Sequence, residues 1–321
     1  MTFRLSDALE RDLPVVQVVD IGASMVDGAD HYAPLVDAGL ANVVGFEPDK
    51  AQFAALQASG RPHYDYLPYA LGTGGPATFH VARYPGCSSI FPPNPEFVDR
   101  FSAIGATSPN GNFTVVQELQ IETHRLDDVT ECPAPDYLKL DIQGAERDVL
   151  THATRTLSSA LVIESEVLFG PLYKGQGDFA DLTILLREQG FQLLECRSIH
   201  RASIAPFFAE RVPFPTRGQW LWADAIYVRR WENLDGWTDE QLLKAAAVMH
   251  EVYQTYDLVH HLLLEIEFRT GEPLAERFRA AMGRDPELAE IWPVLREAWA
   301  KAATRERVER AVAHPPAKQA S

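Results

Sequence analysis

Apolar runs rich in β-branched residues recur through the first two thirds of the chain, and several of them stop at an acid. Residues 15–21 read Val-Val-Gln-Val-Val-Asp-Ile. A nearly continuous run of this kind predicts a strand buried on both faces, as in a parallel sheet. It stops at Asp20, Gly22 and Ala23, a carboxylate and two small residues that let the backbone come close to a ligand. A second run, residues 42–46, ends at Glu47, and Pro48 and Asp49 then open a helix that Gly60 closes. Between these strands, Asp30 can cap a helix over residues 31–38. Two strands with acids at their carboxyl ends and a helix-length connection predict a nucleotide-type crevice in an open α/β sheet.

The pattern continues with predicted strands over residues 63–71, 78–82, 113–122, 137–141, 160–167, 191–196 and 223–228. Helices are predicted over residues 143–153 and 179–189. Residues 83–111 carry five prolines, three glycines and several aromatics without periodicity. A loop of that length is read as a lid or substrate wall. After Trp231 the pattern turns helical, with Thr238 capping residues 240–268 and further helices over 273–282 and 286–313. The expected division is therefore a first domain over 1–231, a helical module over 232–314 and a disordered tail over 315–321.

The glycine pattern narrows the ligand. A dinucleotide site uses G-x-G-x-x-G to cradle a pyrophosphate. Here Gly22 and Gly28 stand six apart with Asp27 between them, and an acid is a poor neighbour for phosphate. S-adenosylmethionine carries an ammonium, a sulfonium and a ribose diol, which suit carboxylates. Glu47 at the end of the second strand is placed to accept both ribose hydroxyls. The formal net charge of −16 argues against nucleic acid or an anionic membrane as the main partner. Cys87, Cys132 and Cys196 are far apart and odd in number, and residues 1–14 lack the apolar stretch of a signal peptide, so a reduced, cytoplasmic setting is expected.

Taken together, Val-Asp20-Ile-Gly22-Ala23-Ser24, Gly-Phe-Glu47-Pro48-Asp49, Ala70-Leu71-Gly72, Ser88-Ser89-Ile90, Thr123-His-Arg-Leu-Asp127-Asp128 and Leu-Lys139-Leu-Asp141-Ile-Gln143-Gly144-Ala-Glu146 resemble the motifs of the FkbM-type S-adenosylmethionine-dependent methyltransferases. The resemblance runs over about residues 15–229. Ser24, Val26 and Gln143 stand where the family usually has Asn, Gly and often Glu. The resemblance implies a Rossmann-like class I methyltransferase sheet, mostly parallel with an antiparallel last strand, to which this chain adds a C-terminal α-helical extension. It implies S-adenosylmethionine held by Asp20, Gly22, Ala23, Ser24, Glu47, Pro48, Ala70, Leu71, Asp141 and Gln143. It also implies O-methylation of a hydroxyl on a sugar or natural product, so a small-molecule or glycan acceptor is the expected partner.

Methyl transfer to an alcohol needs an in-line geometry and a place for the hydroxyl proton. The catalytic candidates are Asp141, Glu164, Glu166 and His200. Asp141 can hold the methionine ammonium, cap the following helix, or both. Glu164 and Glu166 fall on one side of their strand by the period of two. With Asp141 they could bind a divalent cation or supply a base; the resemblance does not require a cation and none is expected. Lys139, inside a buried strand, is expected to pair with Asp20 or Asp141, and Glu146 to sit in the first turn of its helix, where a carboxylate is favourable. His260 and His261 are adjacent, which is the wrong spacing for a metal pair on a helix. The C-terminal helices could serve homo-oligomerisation. Two other readings remain open: a non-catalytic binding protein on the same fold, and an NAD(P)-dependent oxidoreductase, which the missing glycine motif disfavours.

Overall fold

The valine-rich run of the first motif, β1 (Val16–Ile21), is an interior strand of a seven-stranded sheet in the computed structural model, which describes residues 3–23, 30–206, 218–286, 292–297 and 301. The other strands in chain order are β2 (Ala41–Phe46), β3 (Tyr64–Leu67), β4 (Ala70–Leu71), β5 (Gly75–Ala82), β6 (Val115–His124), β7 (Tyr137–Leu140), β8 (Val162–Leu168), β9 (Phe191–Ala202) and β10 (Gln219–Arg229). The main sheet runs β3-β2-β1-β7-β8-β10-β9. Its first five strands are parallel to one another, and β10 lies antiparallel to both β8 and β9. This is the class I methyltransferase sheet with its one reversed strand. The chain order reverses between β1 and β7, and the crevice of an open sheet lies at such a point. The predicted strand over 63–71 splits into β3 in the main sheet and β4 in a small second sheet of order β4-β6-β5.

One face of the main sheet is apolar. Val19, Ile21, Leu138, Leu140, Ile163, Val167, Ala225 and Tyr227 pack there with Val149, Leu150, Leu157, Leu182 and Leu186 of the helices Glu146–Thr151, Thr154–Ser159 and Phe179–Glu188. Each large aliphatic side chain removed from water contributes about 1.5–3 kcal/mol. The alternate positions carry charge: Asp20 lies opposite Lys139, Lys139 opposite Glu164, and Glu166 opposite Asp224.

The segment over residues 83–111 has little regular structure yet is tied down. The Asp99 carboxylate accepts from Ala106 N–H at 2.6 Å and from the Thr107 hydroxyl at 2.6 Å. Val98, Phe101 and Phe113 share a second apolar cluster with Leu168, Leu172 and Tyr173.

The chain forms two compact units, residues 13–255 and residues 1–12 with 256–321. The expected boundary at residue 231 therefore falls elsewhere. The helix Asp239–Val248, capped by Thr238, and the turn Met249–Tyr253 belong with the sheet, because Lys244 Nζ reaches Asp136 at 3.1 Å and the Tyr253 hydroxyl reaches Glu164 at 2.5 Å. Gln254, left-handed at φ 57°, breaks the helical pattern expected to run unbroken to residue 268. In the other unit the N-terminal helix Leu5–Leu9 joins Tyr256–Thr270 and Leu274–Met282. Phe3 meets Phe278 edge-on at 6.2 Å, Arg277 donates to Leu9 O at 3.1 Å, and Arg11 pairs with Glu272 at 2.9 Å. Residues 315–321 and most of the predicted last helix lie outside the described residues.

Candidate active site

The carboxyl ends of β1, β2 and β7 meet at Gly22. Gly22 and Ala23 N–H both donate to Phe46 O, at 3.2 and 3.0 Å, and Asp141 N–H donates to Ile21 O at 2.9 Å. Gly22 sits at φ 92°, and a Cβ there would come within 2.1 Å of Asp141 O. Only glycine allows this approach. Glu47 is buried beside it, and its Oε1 accepts from Asp49 N–H at 2.7 Å. Among the described residues no second hydrogen bond reaches this carboxylate. Burial pushes the Glu47 carboxyl up to about 7, against the hydrogen bond from Asp49 N–H, and the nearby charges of Asp49 and Asp20 act with burial. A diol offering two hydroxyl donors fits such a group. Pro48 is exposed in the turn, and Asp49 caps the helix Lys50–Ala58 through Ala51 and Gln52 N–H. Ser24 lies outside the described residues.

The turn after β7 is held by Glu146. Its carboxylate accepts from Ile142 N–H at 2.8 Å and Gly144 N–H at 2.9 Å, while Gln143 and Gly144 take φ values of 55° and 98°. Burial pushes Glu146 up to about 7, against these hydrogen bonds. The expectation of Asp141 as a helix cap is corrected here: the helix starts at Glu146 with no side-chain cap, and Asp141 instead accepts from Gln143 Nε2 at 2.9 Å. The same nitrogen donates to Glu166 at 2.8 Å, so Gln143 ties the strand end to β8. Ser89 in the irregular segment donates to Gln143 O at 2.7 Å.

A cavity of about 420 Å³ opens here. Gly22, Asp141 and Gln143 line its strand-end side, Lys139, Glu164, Glu166 and Asp224 its floor, and Tyr84, Cys87, Asn112 and Phe113 its outer wall. The irregular segment is thus a cavity wall. His200 lines the rim, stacked on Trp222 at 4.7 Å between ring centres.

Glu164 is the most heavily partnered group on the floor. Its Oε2 accepts from the hydroxyls of Tyr137 at 2.8 Å and Tyr253 at 2.5 Å, and its Oε1 lies 2.5 Å from His31 Nδ1. Burial alone would raise this carboxyl; His31, Tyr253 and Lys139 overcome it and hold the group below its usual range. The same contact raises His31, against partial burial. Glu166 is pushed well above its usual range by burial and by the facing carboxyls of Asp141, Glu146 and Asp224. Burial raises Asp224 too. Asp20, expected at the cofactor, is enclosed: it accepts from the Tyr32 hydroxyl at 2.6 Å and pairs with Lys139 at 3.2 Å. That pair, with Asp141 and Glu164 nearby, raises Lys139 against the effect of burial.

Three consecutive residues close this floor by reaching three strands. Asp30 is held by Arg61 at 2.6 Å and by the Tyr64 hydroxyl of β3 at 3.1 Å, His31 reaches Glu164 of β8, and Tyr32 reaches Asp20 of β1. Asp30 therefore does not cap a helix; the helix Ala33–Asp37 starts after Tyr32.

Of the residues singled out in the sequence, Gly22, Asp141, Gln143, Glu164, Glu166 and His200 meet at the cavity. Ala23, Glu47 and Pro48 stand beside it on the strand-end turns. Ala70 pairs with Thr123 in the second sheet, and Leu71 is buried in the main core with Phe46 and Leu126. His31, Asp224, Tyr137 and Tyr253 were not among the candidates. Asp224 had a local signal, a lone acid inside the apolar run Ala223–Val228; His31 and Tyr253 had none, since only the fold brings them to Glu164. His31 Nδ1 and carboxylate oxygens of Glu164 and Asp224 all lie within 4.8 Å of one another, a spacing compatible with one metal ion.

None of the described helices is long and apolar enough to cross a membrane. Comparison with curated proteins gave no match. Among solved structures, the chain is similar to magnesium protoporphyrin IX methyltransferase from Synechocystis PCC 6803 with bound S-adenosylmethionine, at 14% identity over 70% of this chain and 76% of that one, TM-score 0.35. It is also similar to a putative S-adenosylmethionine-dependent methyltransferase from Listeria monocytogenes, at 9% identity over 70% and 95% of the two chains, TM-score 0.35. Likenesses this distant say nothing of substrate. The profile of the methyltransferase FkbM domain matches residues 20–193, which is more than half of the sequence and spans Asp20, Glu47, Asp141, Glu164 and Glu166. By that match the chain belongs to the FkbM methyltransferase family.

Proposed function

We propose that this protein transfers the methyl group of S-adenosylmethionine to a hydroxyl of a small-molecule or glycan acceptor bound in the cavity. One observation carries the reading: the cavity begins at Gly22 and Asp141, at the carboxyl ends of β1 and β7, and continues without a break over the floor of Glu164, Glu166 and Asp224. Cofactor end and acceptor end thus share one space. When bound, the cofactor supplies an electrophilic methyl on a sulfonium. The residues of the chain do the rest. Glu47 accepts the ribose hydroxyls, and Gly22 lets the backbone lie against the cofactor. Asp141, steadied by Gln143, faces the ammonium. An alcohol must lose its proton as the new bond forms, and the floor offers carboxylates and an imidazole to receive it. Tyr84, Phe113 and Trp222 give the acceptor apolar surface on which to stack.

The test is transfer from S-adenosylmethionine labelled in the methyl group, with the full chain and a panel of sugars, glycosides and phenols. The expected result is label in an alkali-stable ether product. Label found only in amines or in alkali-labile esters would overturn the hydroxyl assignment while leaving the methyltransferase family unaffected.

A further inference from the structure

We propose that His31, Glu164 and Asp224 form a binding site for one divalent first-row cation on the cavity floor. The donor set is one imidazole nitrogen and two carboxylates, which manganese, iron and zinc accept readily. A cation about 2.1 Å from each donor sets neighbouring donors roughly 3–4.2 Å apart. The three donor atoms lie within 4.8 Å of one another, and the 2.5 Å contact of His31 Nδ1 with Glu164 Oε1 opens when a cation takes the place of that hydrogen bond. They come from three separate parts of the fold, namely the turn before the helix Ala33–Asp37, β8 and β10. The 4.8 Å grouping is therefore a product of the fold and not of a local run of acids.

Three further features point to a cation. First, the outer partners are arranged as around a metal ligand: both tyrosine hydroxyls bond Glu164 Oε2, which leaves Oε1 turned to His31. Second, His31 is placed by its neighbours, since Asp30 is anchored to Tyr64 of β3 and Tyr32 to Asp20 of β1. Third, the charge is unbalanced. Asp141 and Asp224 line the cavity, and among the described residues neither has an ion pair with lysine or arginine; Lys139 is committed to Asp20. A divalent cation offsets this excess of carboxylates.

This site lies outside the sequence expectation, which grouped Glu164 and Glu166 with Asp141. Glu166 bonds Gln143 instead, and the ligand role passes to Asp224. The cation's role in methyl transfer rests on the cavity being the acceptor site: all three donor residues line that space, where an acceptor hydroxyl bound to the cation would ionise more easily. Binding of the cation itself does not depend on that reading.

The experiment is a manganese titration of the chelator-treated full chain, followed by the electron paramagnetic resonance signal of free Mn2+, in parallel with an S-adenosylhomocysteine titration by calorimetry. The wild type is expected to take up one Mn2+ per chain. Asp224→Asn and His31→Gln are each expected to weaken it at least tenfold, with S-adenosylhomocysteine affinity within twofold of wild type, which also shows that the variants are folded. His200→Ala, at the cavity rim, is expected to leave Mn2+ uptake unchanged. No uptake at millimolar Mn2+, or equal uptake by wild type, Asp224→Asn and His31→Gln, overturns the site. Loss of S-adenosylhomocysteine binding in the wild type with Mn2+ uptake retained would instead overturn the methyltransferase reading and leave the cation site standing.

Discussion

The two faces of the main sheet are built from the same strands and follow different rules. On one, Leu138, Leu140 and Ile163 pack among the apolar side chains of the helices. On the other, the alternate residues Lys139, Glu164 and Glu166 are nearly as enclosed, yet each is satisfied by a named partner. The difference teaches where stability and chemistry reside. The apolar face tolerates change in proportion to the volume removed. The charged face is a set of mutual dependences, in which loss of one member leaves another buried and unpaired.

That contrast can be broken most sharply at Lys139. Lys139→Ala leaves Asp20 buried without its cation and is expected to cost about 3–5 kcal/mol in denaturant unfolding. The double variant Asp20→Asn, Lys139→Met removes both charges and is expected to recover most of that loss. Next comes Glu47. Glu47→Ala is expected to weaken S-adenosylhomocysteine at least tenfold, about 1.4 kcal/mol, because two charge-assisted hydrogen bonds go. A smaller effect is expected one residue from Glu164 on the apolar side: Ile163→Val should cost about 0.5–1.5 kcal/mol and leave ligand affinity unchanged, since it removes one methylene facing the helices.

The pH dependence sharpens the comparison further. Glu47 titrates near 7 in the folded chain and near 4.5 when free of its surroundings. Its contribution to stability is therefore fully present below about pH 4.5 and is lost as pH rises through 7; Glu146, also near 7, acts in the same direction. Ribose hydroxyls need the ionised carboxylate, so cofactor affinity moves the opposite way. S-adenosylhomocysteine affinity should rise up to about tenfold between pH 6 and 8 in the wild type and stay flat in Glu47→Gln, measured by calorimetry.

Much of this was legible in the sequence. The runs ending in Asp20, Glu47 and Asp141 announced a parallel sheet and its crevice, because buried parallel strands leave a continuous apolar signature. The reversed β10 was implied by the family resemblance alone, because a run of apolar residues carries no strand direction, and of the two acids expected to pair with Lys139, Asp20 and Asp141, the fold selects Asp20. What stayed hidden depended on contacts distant in sequence. His31 and Tyr253 lie 133 and 89 residues from Glu164, and no periodicity links them. The unit boundary was hidden for the same reason. The helical run after Thr238 looks uniform, but Gln254 breaks it, and the part up to Tyr253 is anchored to the sheet by side chains the pattern does not reveal. A helix-capping role for Asp141, one of the two roles its position before a helix suggests, is not taken up, because Glu146 holds that turn from the other side.

The most direct test of the account is calorimetric titration of the full chain with S-adenosylhomocysteine at pH 8, comparing wild type with Glu47→Ala. Micromolar binding by the wild type and at least tenfold weaker binding by a folded Glu47→Ala would place the cofactor at the strand ends. Equal affinity in the two, or no binding by the wild type, would contradict it.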